Sequence, residues 1–291
     1  MDPWLTDQVK ELLFRPCLAV SGYIGRRLNN RLQTGQEIDE RALTEDLVDR
    51  FDASSSSSAW GTCAAELREL QIYVSTSVRK STVEHRTGAD IGLVLRRSLY
   101  GPAAGSSAEY ACLIQCKRVD RRGFVQDFYH RVGHQGTRQS SLMLEVTASA
   151  FYFLFVPPAL LKHYCSVEPM AFLTGAPGCS VPIWNLGCFA HDGLTLPFLT
   201  SGNKQDASGI LVLPALAVEA QQPKGVSASL GDVLPNCLPF WYWFGELLVP
   251  GFVGDGSQST VAIARNTREA ERVTDLPFGV RFSVELSMGN G

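Results

Sequence analysis

The sequence predicts an α/β domain in which a central mixed β-sheet is flanked by helices, with a C-terminal extension. Three observations carry this expectation. Helix-periodic segments alternate with short β-rich runs, and residues 150–156 (AFYFLFV) form a nearly unbroken apolar stretch of the kind buried on both faces of a sheet. Apolar residues make up 45% of the 291 against 19% charged, which supplies a sizeable core and excludes a disordered, fibrous or coiled-coil chain.

Residues 2–14 read as a helix with one apolar side. Residues 37–51 read as a second, with Leu43, Leu47, Val48 and Phe51 at helical intervals behind an Asp39 cap. The five serines 54–58 carry no anchoring side chain and are expected to form a flexible surface loop. After a helix end at 66–70 the pattern turns to strands, at 71–78, 90–96 and 110–119. A helix is expected over 124–144, leading into the apolar strand at 149–156. Beyond Pro157 the chain is richer in Gly and Pro; residues 210–218 and 280–286 read as strands. The run Phe240-Trp241-Tyr242-Trp243-Phe244 reads as core rather than as a base-stacking platform, because consecutive side chains point to both faces of any element. The expected division is a core over residues 1–165 and an extension over 166–291 that either joins the same domain or stands apart.

The net charge of −3 does not announce a nucleic-acid partner, but its distribution is uneven. Between Arg79 and Arg138 there are eleven Lys or Arg and five acids, a local surplus of six positive charges that leaves nine net negative charges on the rest. The N-terminus lacks a basic start followed by an apolar stretch, and the apolar tract ending at Leu161 is too short for the ~20 residues of a spanning helix. Eight cysteines without a CxxC pair suit buried thiols of a reducing compartment, so a cytoplasmic protein without membrane contact is expected. Cys188 and His191, with Cys179, Cys165 and His163 upstream, have zinc-ligand chemistry but no second tight pair; core cysteines are the simpler reading.

The chemistry concentrates in Thr87-Gly88-Ala89-Asp90-Ile91-Gly92 and Ala111-Cys112-Leu113-Ile114-Gln115-Cys116-Lys117-Arg118. Side chains alternate along a strand, so Gln115 and Lys117 share one face about 6.6 Å apart. An antiparallel hairpin centred near residue 103 sets position 90 opposite position 116, beside both. A hard divalent cation takes oxygen ligands, and Asp90 offers a carboxylate, Gln115 an amide oxygen and Cys116 its main-chain carbonyl. Lys117 can steer and help deprotonate a water attacking phosphorus. Polar residues at alternate positions of an otherwise apolar strand need partners if buried.

These residues resemble the PD-(D/E)xK, or restriction-endonuclease-like, nuclease superfamily, in a QxK variant similar to Mrr-type enzymes and to effector nucleases of bacterial antiphage defence. Asp90 and Gln115-x-Lys117 match its signature, and Glu84-x-x-x-Gly88-x-Asp90 is similar to a stretch of some branches. Ala89 replaces the proline of the signature, and Gln115 is a neutral ligand where a carboxylate is usual. The resemblance covers residues 40–156. It implies a Mg2+ (or Mn2+) cofactor and hydrolysis of DNA phosphodiester bonds, with Asp90, Gln115 and Lys117 catalytic. The superfamily's first core helix often brings an acid to the metals; Glu45 is the match here, although it projects away from Leu43 and Leu47.

Arg118, Arg121, Arg122, Arg96 and Arg97, with Lys80, are the expected phosphate-backbone contacts of a DNA duplex. His130 and His134 are spaced i, i+4 on the expected helix, and they, Gln135 and Gln139 are read as packing or capping residues. The resemblance further implies a homodimer or larger assembly, and a sensor protein of the same defence system is a conceivable partner. The rival readings are a catalytically inactive nuclease-fold module for binding or assembly, and a nuclease acting on RNA.

Overall fold

A computed structural model describes residues 4–82, 84–100, 107–132, 136–165, 209–221 and 225–265. The expected strand at 280–286 and the residues Cys179, Cys188, His191, His134 and Gln135 lie outside the described residues, as do the side chains of His163 and Cys165.

Helix α1 (Asp7–Gln33) is more than twice as long as the sequence suggests. The Thr6 hydroxyl accepts from the Val9 amide at its start. Pro16 removes one helical hydrogen bond but does not stop the helix, because Cys17, Val20, Ile24 and Leu28 continue its buried stripe for three more turns. Helix α2 (Glu40–Phe51) begins where expected, with the Asp39 carboxylate accepting from Arg41 N at 3.2 Å, and it buries Leu43, Leu47 and Phe51. Helix α3 (Gly61–Glu69) follows.

The loop between α2 and α3 is anchored, contrary to the expectation of a flexible one. Asp52 accepts from Ser54 N and from Val78 N, both at 2.8 Å, and Ala53 N donates to Thr76 O at 2.9 Å. The chain just before the serines is thereby bonded along the outer edge of the first strand, β1 (Ile72–Lys80).

β1, β2 (Ile91–Leu99) and β3 (Ser107–Arg118) form an antiparallel meander. Helix α4 (Gln139–Val146) then leads to β4 (Ala150–Phe155), which runs parallel to β3 with Gln115 level with Tyr152. After α5 (Pro158–Cys165), β5 (Ile210–Pro214) and the short β6 (Leu238–Pro239) complete a six-stranded mixed sheet in the order β1-β2-β3-β4-β5-β6. Ile210–Pro214 and Leu238–Pro239 thus belong to the same sheet as the meander. The strand expected over 210–218 ends at Pro214, the cap of the short helix α6 (Ala215–Glu219).

Two cores sandwich the sheet. On one face α1, α2 and the aromatic segment pack with Phe151, Phe153 and Phe155; on the other Tyr152 and Leu154 meet Met143 of α4 and Ile263 of α7 (Gln258–Ala264). The apolar stretch is continuous because β4 alternates between two buried layers. Phe240, Trp241, Trp243 and Phe244 lie in the first core, where Phe240 rests edge-on against Phe51 and Phe153. The five cysteines whose side chains are described, Cys17, Cys63, Cys112, Cys116 and Cys237, are buried and free. No helix among the described residues is long and apolar enough to cross a membrane.

The helix expected over 124–144 is confined to Gln139–Val146. Before it, Phe124–Val125 pairs with Ala228–Ser229 and Arg131–Val132 pairs with Thr137–Arg138. Asp127 and Gly136 take positive φ of 47° and 62°, conformations that no helix accommodates. His130 accordingly sits in an exposed turn rather than on a helix face.

Candidate active site

The hairpin register is one residue from that expected. Ile91 pairs with Ile114, so Asp90 lies level with Gln115 rather than Cys116. Gly88, at φ 69°, turns the chain into β2, and any Cβ there would fall on the Gln139 carbonyl. Asp90 is then held from both sides: its N–H donates to Ile114 O at 3.0 Å, and its carbonyl accepts from Ser81 N at 2.7 Å.

Asp90 and Gln115 are in direct contact. Asp90 Oδ2 accepts from Gln115 Nε2 at 2.6 Å and from the Cys116 amide at 2.7 Å. Strand alternation sets Lys117 on the same side of β3 as Gln115, opposite the core-facing Cys116. Gln115 and Lys117 are 1% and 4% exposed. Lys117 Nζ stands 3.6 Å from Glu40 Oε1, and Glu40 Oε2 accepts from Arg118 N at 2.8 Å. A cleft of about 450 Å³ opens here between the start of α2, the end of β1 and the turn before β2, with Glu40, Thr44, Lys80, Ser81, Glu84 and Asp90 on its walls.

Burial dominates the electrostatics. It pushes the Asp90 carboxyl up to about 7, against the Cys116 N–H and the Lys117 charge and with the help of Glu84 and Glu40. Burial also raises the Glu40 carboxyl, which Lys117 and the Arg118 amide oppose. The Cys116 thiol is pushed far up by its burial; the residue meets Gln115 through its carbonyl, which accepts from Gln115 Nε2 at 3.5 Å.

Glu45, the acid matched from sequence, takes a different place. It is half exposed, paired with Lys80 and, at 3.6 Å, with Arg41, and the Lys80 ammonium holds its carboxyl below the ordinary range. Five residues separate it from Glu40, a rotation of about 140° around the helix, so only one of them can face Lys117. Glu40 is the acid that the sequence reading missed; its signal is its position directly after the Asp39 cap, at the helix end that meets β3.

The arginines divide as well. Arg121 and Arg122 are exposed in the turn after β3. Arg118 is drawn inward, donating to Ile38 O at 2.9 Å and pairing with Glu37 at 3.0 Å, and so tethers the segment that leads into α2. Arg96 pairs with Glu109 at 3.2 Å, six residues or about 20 Å along β2 from Asp90. Arg97 is 7% exposed, donates to Val249 O at 2.8 Å and lies over the Trp4 ring; it is a core residue, not a phosphate contact. Replacing Arg97 by methionine leaves the Val249 carbonyl unpaired and is expected to cost about 1–3 kcal/mol in urea denaturation.

Among the described residues no three His, Cys, Asp or Glu side chains stand close enough to share an ion, so a cation here needs amide and carbonyl oxygens. Such oxygens are present: the Asp90 carboxylate, the Cys116 carbonyl, and Gln115 Oε1, which is buried and accepts no hydrogen bond. An all-oxygen set with one carboxylate fits a hard divalent ion. No family model, curated protein or solved structure matches this chain.

Proposed function

We propose that this protein is a metal-dependent endonuclease hydrolysing DNA phosphodiester bonds on a restriction-endonuclease-like core of α2, β1 to β3, α4 and β4. The observation that carries the reading is the hydrogen-bond contact of Asp90 with Gln115, with Lys117 one strand step further and paired to Glu40, where Asp90 and Glu40 line a cleft. An antiparallel meander followed by a helix and a parallel fourth strand supports the same reading.

Asp90 and Gln115, with the Cys116 carbonyl, would hold Mg2+ or Mn2+. When bound, the ion supplies charge stabilisation for the phosphate oxygens. Lys117 orients the attacking water and holds positive charge beside it, in a site where few waters compete. Glu40 fixes the Lys117 ammonium and is itself fixed by the Arg118 amide, so the helix and strand are registered through one carboxylate. The exposed Arg121 and Arg122 are the residues of the basic segment best placed to meet a duplex backbone beyond β3. Cutting both strands would engage two copies of the chain.

The test is nicking of supercoiled plasmid with Mg2+ or EDTA, beside an RNA of similar length. Metal-dependent conversion to open circles by the wild type and not by Lys117→Ala is the expected result. Equal inactivity of both at ample protein and metal favours a binding scaffold, and cleavage of RNA alone favours a ribonuclease.

A further inference from the structure

Two arginines outside the cleft share one acid. Arg131 and Arg138 are directly opposite partners in the short hairpin before α4, so their side chains leave the same face of the ladder, where like charges repel. Both line a second pocket of about 500 Å³, together with Ser141, Gln221 and Glu219. Glu219 is the one acid among the described residues on its wall.

That carboxylate is largely engaged elsewhere. Glu219 accepts from the Ser140 hydroxyl at 2.6 Å and the Ser141 hydroxyl at 2.9 Å, and it stands 3.9 Å from Arg138 Nη1. The arginines are held mainly by neutral groups. Arg138 Nη1 donates to the carbonyls of Glu219 and Gln221, both at 3.4 Å, and Arg131 Nη1 donates to Gly136 O at 3.0 Å. A carbonyl orients a guanidinium without neutralising it, and each guanidinium keeps further N–H groups to offer. Gln221 adds a neutral donor: Tyr129 O–H donates to its Oε1 at 2.7 Å, which leaves the amide N–H groups for a ligand. Two oriented guanidinium forks and an amide donor suit the several oxygens of a phosphate group.

The pocket lies close to the cleft. Arg138 directly precedes Gln139, whose Nε2 lies 3.5 Å from Glu84 Oε1 on the cleft wall. Successive residues are only ~3.8 Å apart, so a strand seated in the cleft brings its neighbouring phosphates within reach of the hairpin.

We infer that Arg131 and Arg138 clamp a backbone phosphate of the DNA strand that runs past the cleft. The inference rests on the proposed nuclease reading and adds to it a contact from the hairpin before α4, on the side of the cleft away from Arg121 and Arg122's strand.

The experiment is fluorescence anisotropy of a labelled short duplex with the full chain in EDTA, over a range of salt concentrations. Arg131→Gln and Arg138→Gln are each expected to weaken binding about fivefold, equally for duplexes of unrelated sequence, and to lower the slope of log affinity against log salt by about one. Arg138 also ties down the end of α6, so Arg131→Gln, whose side chain bonds within its own hairpin, keeps the test valid if Arg138→Gln fails to fold by circular dichroism. The control is Arg68→Gln, on α3 beside Tyr73 and about 20 Å along β1 from Lys80. Wild-type affinity and slope in Arg131→Gln, or an equal loss in Arg68→Gln, overturns the clamp. Calorimetry with inorganic phosphate distinguishes a free ligand: binding tighter than about 1 mM that Arg131→Gln abolishes, with DNA affinity unchanged, overturns the strand contact in favour of a free phosphate. A wild type that nicks plasmid while Arg131→Gln binds DNA as it does leaves the nuclease reading standing without the clamp. Weakened binding in the variants of a protein that never nicks leaves the clamp and defeats the nuclease reading.

Discussion

Lys117→Ala is expected to lower the rate of plasmid nicking by about 10²- to 10⁴-fold while the affinity for Mn2+ stays within a few-fold. The separation of the two readouts follows from the side chain's position. Lys117 touches Glu40, not the oxygens of Asp90 or Gln115, so its removal takes away a charge at the place of reaction and leaves the cation's ligands in position. Loss of the ammonium also strands a partly buried Glu40, whose carboxyl burial already raises; it would rise further and be held only by the Arg118 amide. Breaking a partly buried ion pair from one side leaves the other charge uncompensated, so the variant should also unfold more easily than the wild type, by up to about 3 kcal/mol. Loss of Mn2+ binding together with activity would show instead that Lys117 organises the site as a whole.

Asp90→Asn is expected to abolish metal-dependent cleavage and yet make the metal-free protein harder to unfold at pH 8. The Asp90 carboxyl titrates near 7 in the folded protein against an ordinary 3.8. Below 3.8 it is protonated in both states and costs nothing. Between 3.8 and 7 the unfolded chain ionises first, so stability falls as pH rises through this window, and above 7 the full cost of a buried carboxylate remains. Asparagine is neutral throughout, and its side-chain oxygen can still accept from Gln115 and from the Cys116 amide. In EDTA the variant should therefore exceed the wild type in free energy of unfolding at pH 8, by on the order of a few kcal/mol in urea denaturation, and match it near pH 4. Added Mg2+ should close the gap from the other side by stabilising only the wild type. A wild type more stable than the variant at pH 8 without metal would mean that Asp90 is a structural acid.

The legible parts of the molecule were those in which one periodicity decides. The meander and β4 follow from alternation and from a continuous apolar run, and the contact of Asp90 with Gln115 follows from the hairpin despite a register one residue off. Arg97 was misread as a phosphate contact although its signal was present: Leu93, Leu95, Arg97 and Leu99 share one side of β2, which makes the arginine a member of the core stripe. What the sequence did not disclose depended on tertiary partners. Whether Glu40 or Glu45 meets Lys117 turns on how α2 is rotated against the sheet and on which of its ends lies beside β3. The length of α1 was not read beyond residue 14, because the apolar face that carries the helix past Pro16 is completed by elements more than 200 residues away, such as Phe240 and Trp241. The segment before α4 depends on an aspartate in a left-handed conformation, which composition does not announce.

The tether of Asp52 and Ala53 along β1 bears on how two copies could associate. A free strand border invites another chain to lengthen the sheet, but here the middle of that border, at Thr76 and Val78, is already satisfied by the protein's own backbone and an acid. Dimerisation by strand addition at β1 would first have to peel this strap away, so a two-copy nuclease would have to be joined through other surfaces, leaving the cleft mouths free to approach opposite strands of one duplex.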